Sequence, residues 1–453
     1  SNLEKNQNLK YLRMTQTPLE RFWNLLSLYK NEIRQIYIYA VFIGIVNLSL
    51  PLGIQAIINY IQTGEVTSSW VVLVGVVLIG IAVAGGLQVL QIRVVENIQQ
   101  DLFARSALEF AYRLPKITFI QLDKVHAPEL VNRFFDTLTI QKGLPKILID
   151  FSLAVFQIVF GLVLLAIYSP YFIIMGVTLI AILYLIFRFT APKGLQTSLK
   201  ESKYKYNLAH WLEEVGRNSR TFKLNTDSDL HLQRADQITV GYLNAREKHF
   251  GVLLNQFRFF IGFKVLVGAS LLLLGGFLVF EEQMNIGQFV AAEIIIILII
   301  NSVEKILTVI ETIYDVLTGL EKIGYVADLE LDKSNGVAEV DQSGGMRVCA
   351  REVDFTYPES QRSIIDNLSF EIAAGQKVIV QGETGSGKTT LLQLIAGIHQ
   401  VNDGDFYFND IPFNNFNRDK FYKNLGMIFP TNQLFEGTIR ENITMGRKTS
   451  DRK

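Results

Sequence analysis

Six long apolar stretches, at 36–61, 70–90, 144–168, 171–189, 257–280 and 286–310, decide what this chain can become. Each approaches or exceeds the roughly 20 residues that a helix needs to cross a bilayer. One such stretch fits a buried helix of a soluble protein. Six of them leave too little polar surface to clothe the chain in water, so the expectation is a polytopic α-helical membrane domain with six transmembrane helices. Composition agrees, with 49% hydrophobic residues and a mean hydropathy of +0.25. The third and fourth stretches nearly touch at Ser169-Pro170, a tight turn.

The first stretch is too long for a signal-peptide core, and polar and amphipathic residues precede it. Within that lead, "PLERFWNLLSLY" places Phe22, Trp23, Leu25, Leu26 and Tyr29 on a helical repeat. This predicts a helix lying along the membrane surface before the chain enters.

Charge sets the direction. The connections after spans one, three and five carry Glu65, Glu281 and Glu282 and no lysine or arginine. Those after spans two and four carry seven and ten basic residues. By the positive-inside rule both termini are cytoplasmic. The two basic segments are long and helix-like, so spans two to five are expected to continue as helices well into the cytoplasm. The expected setting is a bacterial inner (cytoplasmic) membrane, with membrane lipid as a partner.

Other function classes find little support. Lysine plus arginine equals aspartate plus glutamate at 43 each, which gives no pull toward nucleic acid. The single cysteine, Cys349, has no partner for an internal disulfide and reads as a small buried residue. Five scattered histidines show no metal-ligand spacing.

After Leu331 the composition changes. Residues 332–345, "DKSNGVAEVDQSGG", read as a linker. Short β-type runs follow in "MRVCAREVDFTY", "LSFEI" and "KVIVQG". The last runs into Gly382, Glu383, Thr384, Gly385, Ser386, Gly387, Lys388 and Thr389, followed by Thr390. This is GxxxxGK[ST] between a strand-like run and a helix-like "LLQLIAG", the context the phosphate-binding motif requires. Its glycines let the backbone curl so that amide hydrogens face phosphates, and the following helix adds its positive end. Lys388 is expected to reach the β- and γ-phosphates of ATP, and the Thr389 hydroxyl to hold Mg2+.

Six spans, long cytoplasmic helical segments and this C-terminal domain resemble an ATP-binding cassette (ABC) exporter half-transporter: a permease fused to an α/β P-loop nucleotide-binding domain. "VDFTYPES" resembles the family's aromatic loop, which implies that Tyr357 stacks on adenine. "NLSFEIAAGQKVIVQGETGSGKTTLLQLIAG" matches through the phosphate loop, "LFEGTIREN" resembles the stretch past the glutamine loop, and "MNIGQFVAAE" the lead-in to span six. "LPKITFIQ…APELVNRFFD" and "RTFKLNTDSD" resemble the regions of the two coupling helices, near 127–131 and 221–225. The resemblance implies four regions: an N-terminal segment 1–32, a transmembrane domain 33–331, the linker 332–345, and the first half of a nucleotide-binding domain, 346–453. It also implies ATP and Mg2+ as ligands, and a homodimer or a heterodimer with another half-transporter.

Two departures stand out. Counting back seven residues from Gly437, the glutamine position holds Pro430, or Thr431 after a one-residue shift. Either the loop has drifted and Gln433 or water substitutes, or a catalytic contact is weakened. The sequence also ends at Lys453 without a signature, an acidic Walker B strand or a switch histidine. The expectation is a shortened form of an ordinary transporter, with no complete catalytic set. The chain alone would then bind Mg-ATP weakly and not turn it over.

In the membrane part, Glu293 sits about seven residues into span six. A charge there is costly, so Glu293 is expected to face the translocation path or be protonated, the alternative being an outer-leaflet glutamate bonded to a neighbouring helix. Lys264 differs from it in depth by about 14 Å, too far for pairing. Asn47, Gln55 and Asn59 follow a helical repeat that suits either a polar stripe or interhelical hydrogen bonds. The leading function is ATP-driven export of a peptide, protein, lipid or drug-like substrate by an alternating-access dimer. The alternative is a non-hydrolytic nucleotide-binding subunit that regulates a partner or gates a pore.

Overall fold

A computed structural model describes residues 16–63, 69–124, 127–332, 336–338, 345–357, 360–429 and 434–447. Glu65, most of the linker, and Pro430, Thr431 and Gln433 lie outside the described residues. The chain divides into two compact units, residues 1–115 with 125–329, and residues 116–124 with 330–453.

The first unit is helical. Helix α1 (Pro18–Leu28) is the expected amphipathic segment. Thr17 caps it reciprocally with Glu20, and Pro18 occupies the first turn, where its missing N–H costs nothing. It buries Arg21 and Phe22 and leaves Trp23 exposed. A break at Tyr29 (φ −112°, ψ 32°) turns the chain into α2 (Lys30–Asn47). The Tyr29 hydroxyl fixes that corner by donating to Asp101, 3.0 Å away.

Among the described residues, six helical runs are long and apolar enough to cross a membrane. The first comprises α2 and α3 (Ser49–Thr63), with a break at Leu48. Pro51 explains the break, because its ring nitrogen has no hydrogen for the carbonyl of Asn47. The second is α4 (Ser69–Arg113), 45 residues or about 68 Å long. Val71, Val72, Leu78 and Ile79 on its outer half are exposed, as a face turned to lipid should be.

Beyond α4, α5 (Phe119–Lys124) belongs to the second unit, and α6 (Ala127–Asn132) to the first. The third run then follows, in α7 (Asp136–Pro145) and α8 (Ser152–Tyr168). Between them Lys146–Phe151 winds as a π-helix. Pro145 is the cause, since it orphans the carbonyl of Gln141. The Gln99 side chain of α4 donates to that carbonyl at 2.9 Å and so replaces the lost bond.

The fourth and fifth runs are α9 (Tyr171–Arg217) and α11 (Leu230–Phe280), of 47 and 51 residues, joined by the short α10 (Ser219–Leu224). They extend well past membrane thickness, as the sequence suggested. Helix α12 (Ile286–Asp328) does the same. Asn285 and Gln288 cap it reciprocally, which gives the "MNIGQF" phrase a structural reason.

Helix α12 forms the centre of this unit. Ala291, Ala292, Ile295, Ile296, Ile299 and Val303 are buried along it. Polar side chains join it to its neighbours. Gln256 of α11 donates to Thr190 of α9 at 2.9 Å and to the Tyr314 hydroxyl at 3.0 Å. Ser198 and Thr318 bond at 2.9 Å. Of the three polar residues predicted on span one, Gln55 accepts from the Tyr168 hydroxyl and Asn59 lies against Gly287. Both follow the interhelical alternative.

The second unit holds an antiparallel sheet in the order β2-β1-β3-β4, from β1 (Val348–Phe355), β2 (Ile365–Ile372), β3 (Asp403–Phe408) and β4 (Ile411–Pro412). Val353, Phe406, Phe408, Phe416 and Phe421 form its core. Residues 116–124 join this unit through paired backbone bonds, Thr118 N–H to Glu330 and Asp332 N–H to Lys116. Asp332 is held by Arg418 at 3.1 Å. Burial raises its carboxyl above the ordinary range, against the opposing pull of that guanidinium.

One expected strand is corrected. The "KVIVQG" run pairs with no strand among the described residues, and Val378, Ile379 and Val380 are exposed. An apolar strand is defined by ladder bonds on its flanks, and no described neighbour supplies them.

Candidate functional site

Residues 382–387 curl into a loop that leads directly into a helix. Gly385 and Gly387 both stand at φ +88°, the left-handed region that suits glycine. Gly387 is the N-cap of α13 (Lys388–Ile395), and a methyl there would press against Ile364 at 3.0 Å. Between the glycines the Ser386 amide closes a turn onto Glu383, 3.2 Å away. The Lys388 ammonium curls back over the loop and donates to the carbonyls of Gly382 (3.0 Å) and Glu383 (2.6 Å). The amides of Lys388, Thr389 and Thr390, in the first turn of α13, have no partner within the helix. Gly382, Glu383, Thr384, Gly385 and Ser386 are exposed, and so is Thr389. The result is a curved, solvent-facing cradle with one ammonium above it, whose shape and charge fit a polyphosphate. The Thr389 side chain is exposed beside it.

Tyr357 and Thr390 sit differently from the rest. Thr390 is buried, and its hydroxyl bonds the Tyr357 hydroxyl at 3.1 Å. The Tyr357 ring packs edge-on against Phe355 (4.9 Å) and His399 (5.4 Å). Thr390 therefore anchors α13 to the aromatic residue and turns away from the cradle. His399 is the neighbour that motif reading missed. It carries no motif signal, and only the fold brings it to Tyr357.

In the helical unit Glu293 is exposed, with no hydrogen-bond or ion-pair partner among the described residues. It has company. Every exposed position between Ile286 and Asp315 falls on one stripe of α12: Ile286, Glu293, Ile297, Asn301, Glu304, Lys305, Thr308, Glu311 and Asp315. At 100° per residue they occupy about 120° of the helix. All the other sides of α12 are packed, so this is its open face.

A family model for the ABC transporter transmembrane region matches residues 33–303, and one for the ABC transporter itself matches 365–453. This chain belongs to the ABC transporter family. The ATP-binding protein YfiC of Bacillus subtilis is 24% identical over 445 residues, covering 96% of this chain and 72% of YfiC. The probable multidrug resistance ABC transporter protein YheI of the same organism is 28% identical over 188 residues, 41% of this chain and 32% of YheI. A solved structure of a bacterial Atm1-family ABC exporter with ATP bound superposes with a TM-score of 0.80 at 18% identity, covering 94% of this chain and 76% of that one. The fold of this ABC transporter is thus of the exporter type. It is an integral membrane protein with a nucleotide-binding domain, and the family implies use of ATP.

Proposed function

We propose that this chain is one half of an ATP-driven exporter, working with a second half-transporter, identical or not, by alternating access. The open stripe of α12 carries this reading. It holds four carboxylates, one lysine, an asparagine and a threonine along the central helix of a membrane bundle. Within the span 286–310 lipid would not tolerate Glu293, Asn301, Glu304, Lys305 and Thr308, so the stripe faces a water-filled conduit completed by the second half. Glu293, nearest the outer end, is its first charged lining residue. Both termini would lie in the cytoplasm, as the loop charges favour.

In the second unit the cradle of Gly382, Glu383, Thr384, Gly385, Ser386, Gly387 and Lys388 would hold the phosphates of ATP. Thr389 would ligate Mg2+, and Tyr357, steadied by Thr390, would border the adenine. Bound Mg2+ would neutralise phosphate charge, while the chain's own amides and Lys388 orient the phosphates. Substrate chemistry stays at the level of a peptide, protein, lipid or drug-like molecule.

The test is ATP-dependent uptake into inside-out vesicles by the full protein. Lys388→Ala should abolish both uptake and labelling by a photoreactive ATP analogue. Glu293→Gln should change uptake or its pH profile and leave analogue labelling intact. Uptake unaffected by either substitution would refute the proposal.

A further inference from the structure

The corner between α1 and α2 borders an open groove of about 620 Å3, within the roughly 300–1,000 Å3 usual for small-molecule sites. Its lining is almost wholly apolar, with Trp23 and Leu26 on α1 and Tyr37, Val41 and Phe42 on α2. Two cations stand at one end, Lys30 and Arg34, one helical turn apart. Both are exposed, and neither meets a carboxylate among the described residues. Glu32, the only acidic residue of α2, lies about 160° around the helix from Lys30.

The position matters as much as the lining. The cations precede the apolar stretch that begins at residue 36, where headgroups meet hydrocarbon. From residue 36 to Phe42 the helix rises about 9 Å, so the trough reaches more than half-way down the roughly 15 Å of one leaflet's hydrocarbon. The groove therefore pairs two positive charges at headgroup level, which meet no carboxylate among the described residues, with an apolar trough that enters the acyl-chain region. Trp23 at the rim suits the same boundary, since its ring prefers the interface.

We propose that this groove is a binding site for one anionic phospholipid, whose phosphate lies between Lys30 and Arg34 and whose acyl chain runs along Val41 and Phe42. In the topology proposed above, the lipid belongs to the cytoplasmic leaflet. A zwitterionic lipid has the same chains but brings its own cation to the two residues, so the site discriminates by headgroup charge. The occupied groove would brace the corner at Tyr29, through which α1 joins the first span.

Native mass spectrometry of the full chain in detergent tests this, with dioleoyl phosphatidylglycerol or dioleoyl phosphatidylcholine added. Two basic groups acting on one anionic headgroup should favour the glycerol lipid roughly thirtyfold. Lys30→Gln with Arg34→Gln should remove that preference, whereas Lys30→Arg should keep it. Val41→Trp, which fills the trough and leaves both charges, should weaken binding of either lipid. Equal binding of the two lipids by the unaltered chain, or a preference that survives the double substitution, would overturn the proposal. Full displacement of the lipid by free glycerol phosphate would also overturn it, since the site would then be one for a soluble anion.

Discussion

Replacing Asp328 by leucine should be among the most damaging single changes in the helical unit. Its carboxylate meets the Arg21 guanidinium at 2.5 Å, and both side chains are only 3% exposed. The pair ties α1 to the last turn of α12, residues 307 apart in sequence. Taking away one partner strands a buried charge, which costs about 3–5 kcal/mol. Taking away both, as Arg21→Met with Asp328→Leu, leaves apolar groups of similar volume and should recover most of that loss. Gly324 adds an independent probe, because a methyl there would run into the guanidinium. Thermal unfolding of the purified protein at one fixed scan rate is the assay. Asp328→Leu should lower the midpoint by on the order of 5–10 °C, and the double variant should return to within a few degrees of the unaltered protein. A double variant as unstable as the single one would refute the reasoning. So would a single variant within 1 °C of the unaltered protein, since the pair would then carry no stability.

Two further outcomes follow from the second unit. Gly387→Ala forces a side chain into φ +88° and against Ile364, and should cost about 1–3 kcal/mol with a matching loss of nucleotide-analogue binding; unchanged binding would show that the cradle does not depend on this geometry. The raised pKa of Asp332 means that its folded form favours the proton. Its stabilising contribution is therefore complete below the ordinary carboxylate range and is lost as pH rises through the folded value. Urea unfolding followed across that window should show stability falling with pH, and Asp332→Asn should flatten the slope. A slope of opposite sign would mean that Arg418 outweighs burial.

The parts of this molecule legible in the sequence are those governed by local chemistry. Hydropathy marks the spans because a helix in lipid must be apolar over its whole length. The phosphate loop is legible because glycine, lysine and threonine at fixed spacing specify a backbone path. Even the start of α12 is written locally, in Asn285 and Gln288. The rest depends on partners distant in the chain. Nothing near Arg21 announces Asp328, and nothing near Pro145 announces that Gln99 will repair its hydrogen-bonding defect. Thr390 directly follows the phosphate motif, but its hydroxyl turns inward to Tyr357. The run at 377–382 has strand composition, yet a strand exists only when neighbours bond to it. Glu293 was conspicuous alone, while the stripe it belongs to emerged only once burial separated the open side of α12 from its packed sides.

That stripe is best tested by cysteine accessibility along α12. Cys349 is the only native cysteine, so Cys349→Ser gives a clean background for single cysteines from Ile286 to Asp315. A membrane-impermeant maleimide should label positions 293, 297, 301, 304, 308, 311 and 315 of the assembled protein in a lipid bilayer. Positions 295, 299, 303 and 306 should stay protected, giving a period close to 3.6, and ATP should change the rates on the stripe. Labelling without that period, or a stripe reached only by lipid-soluble reagents, would contradict a water-filled conduit along α12.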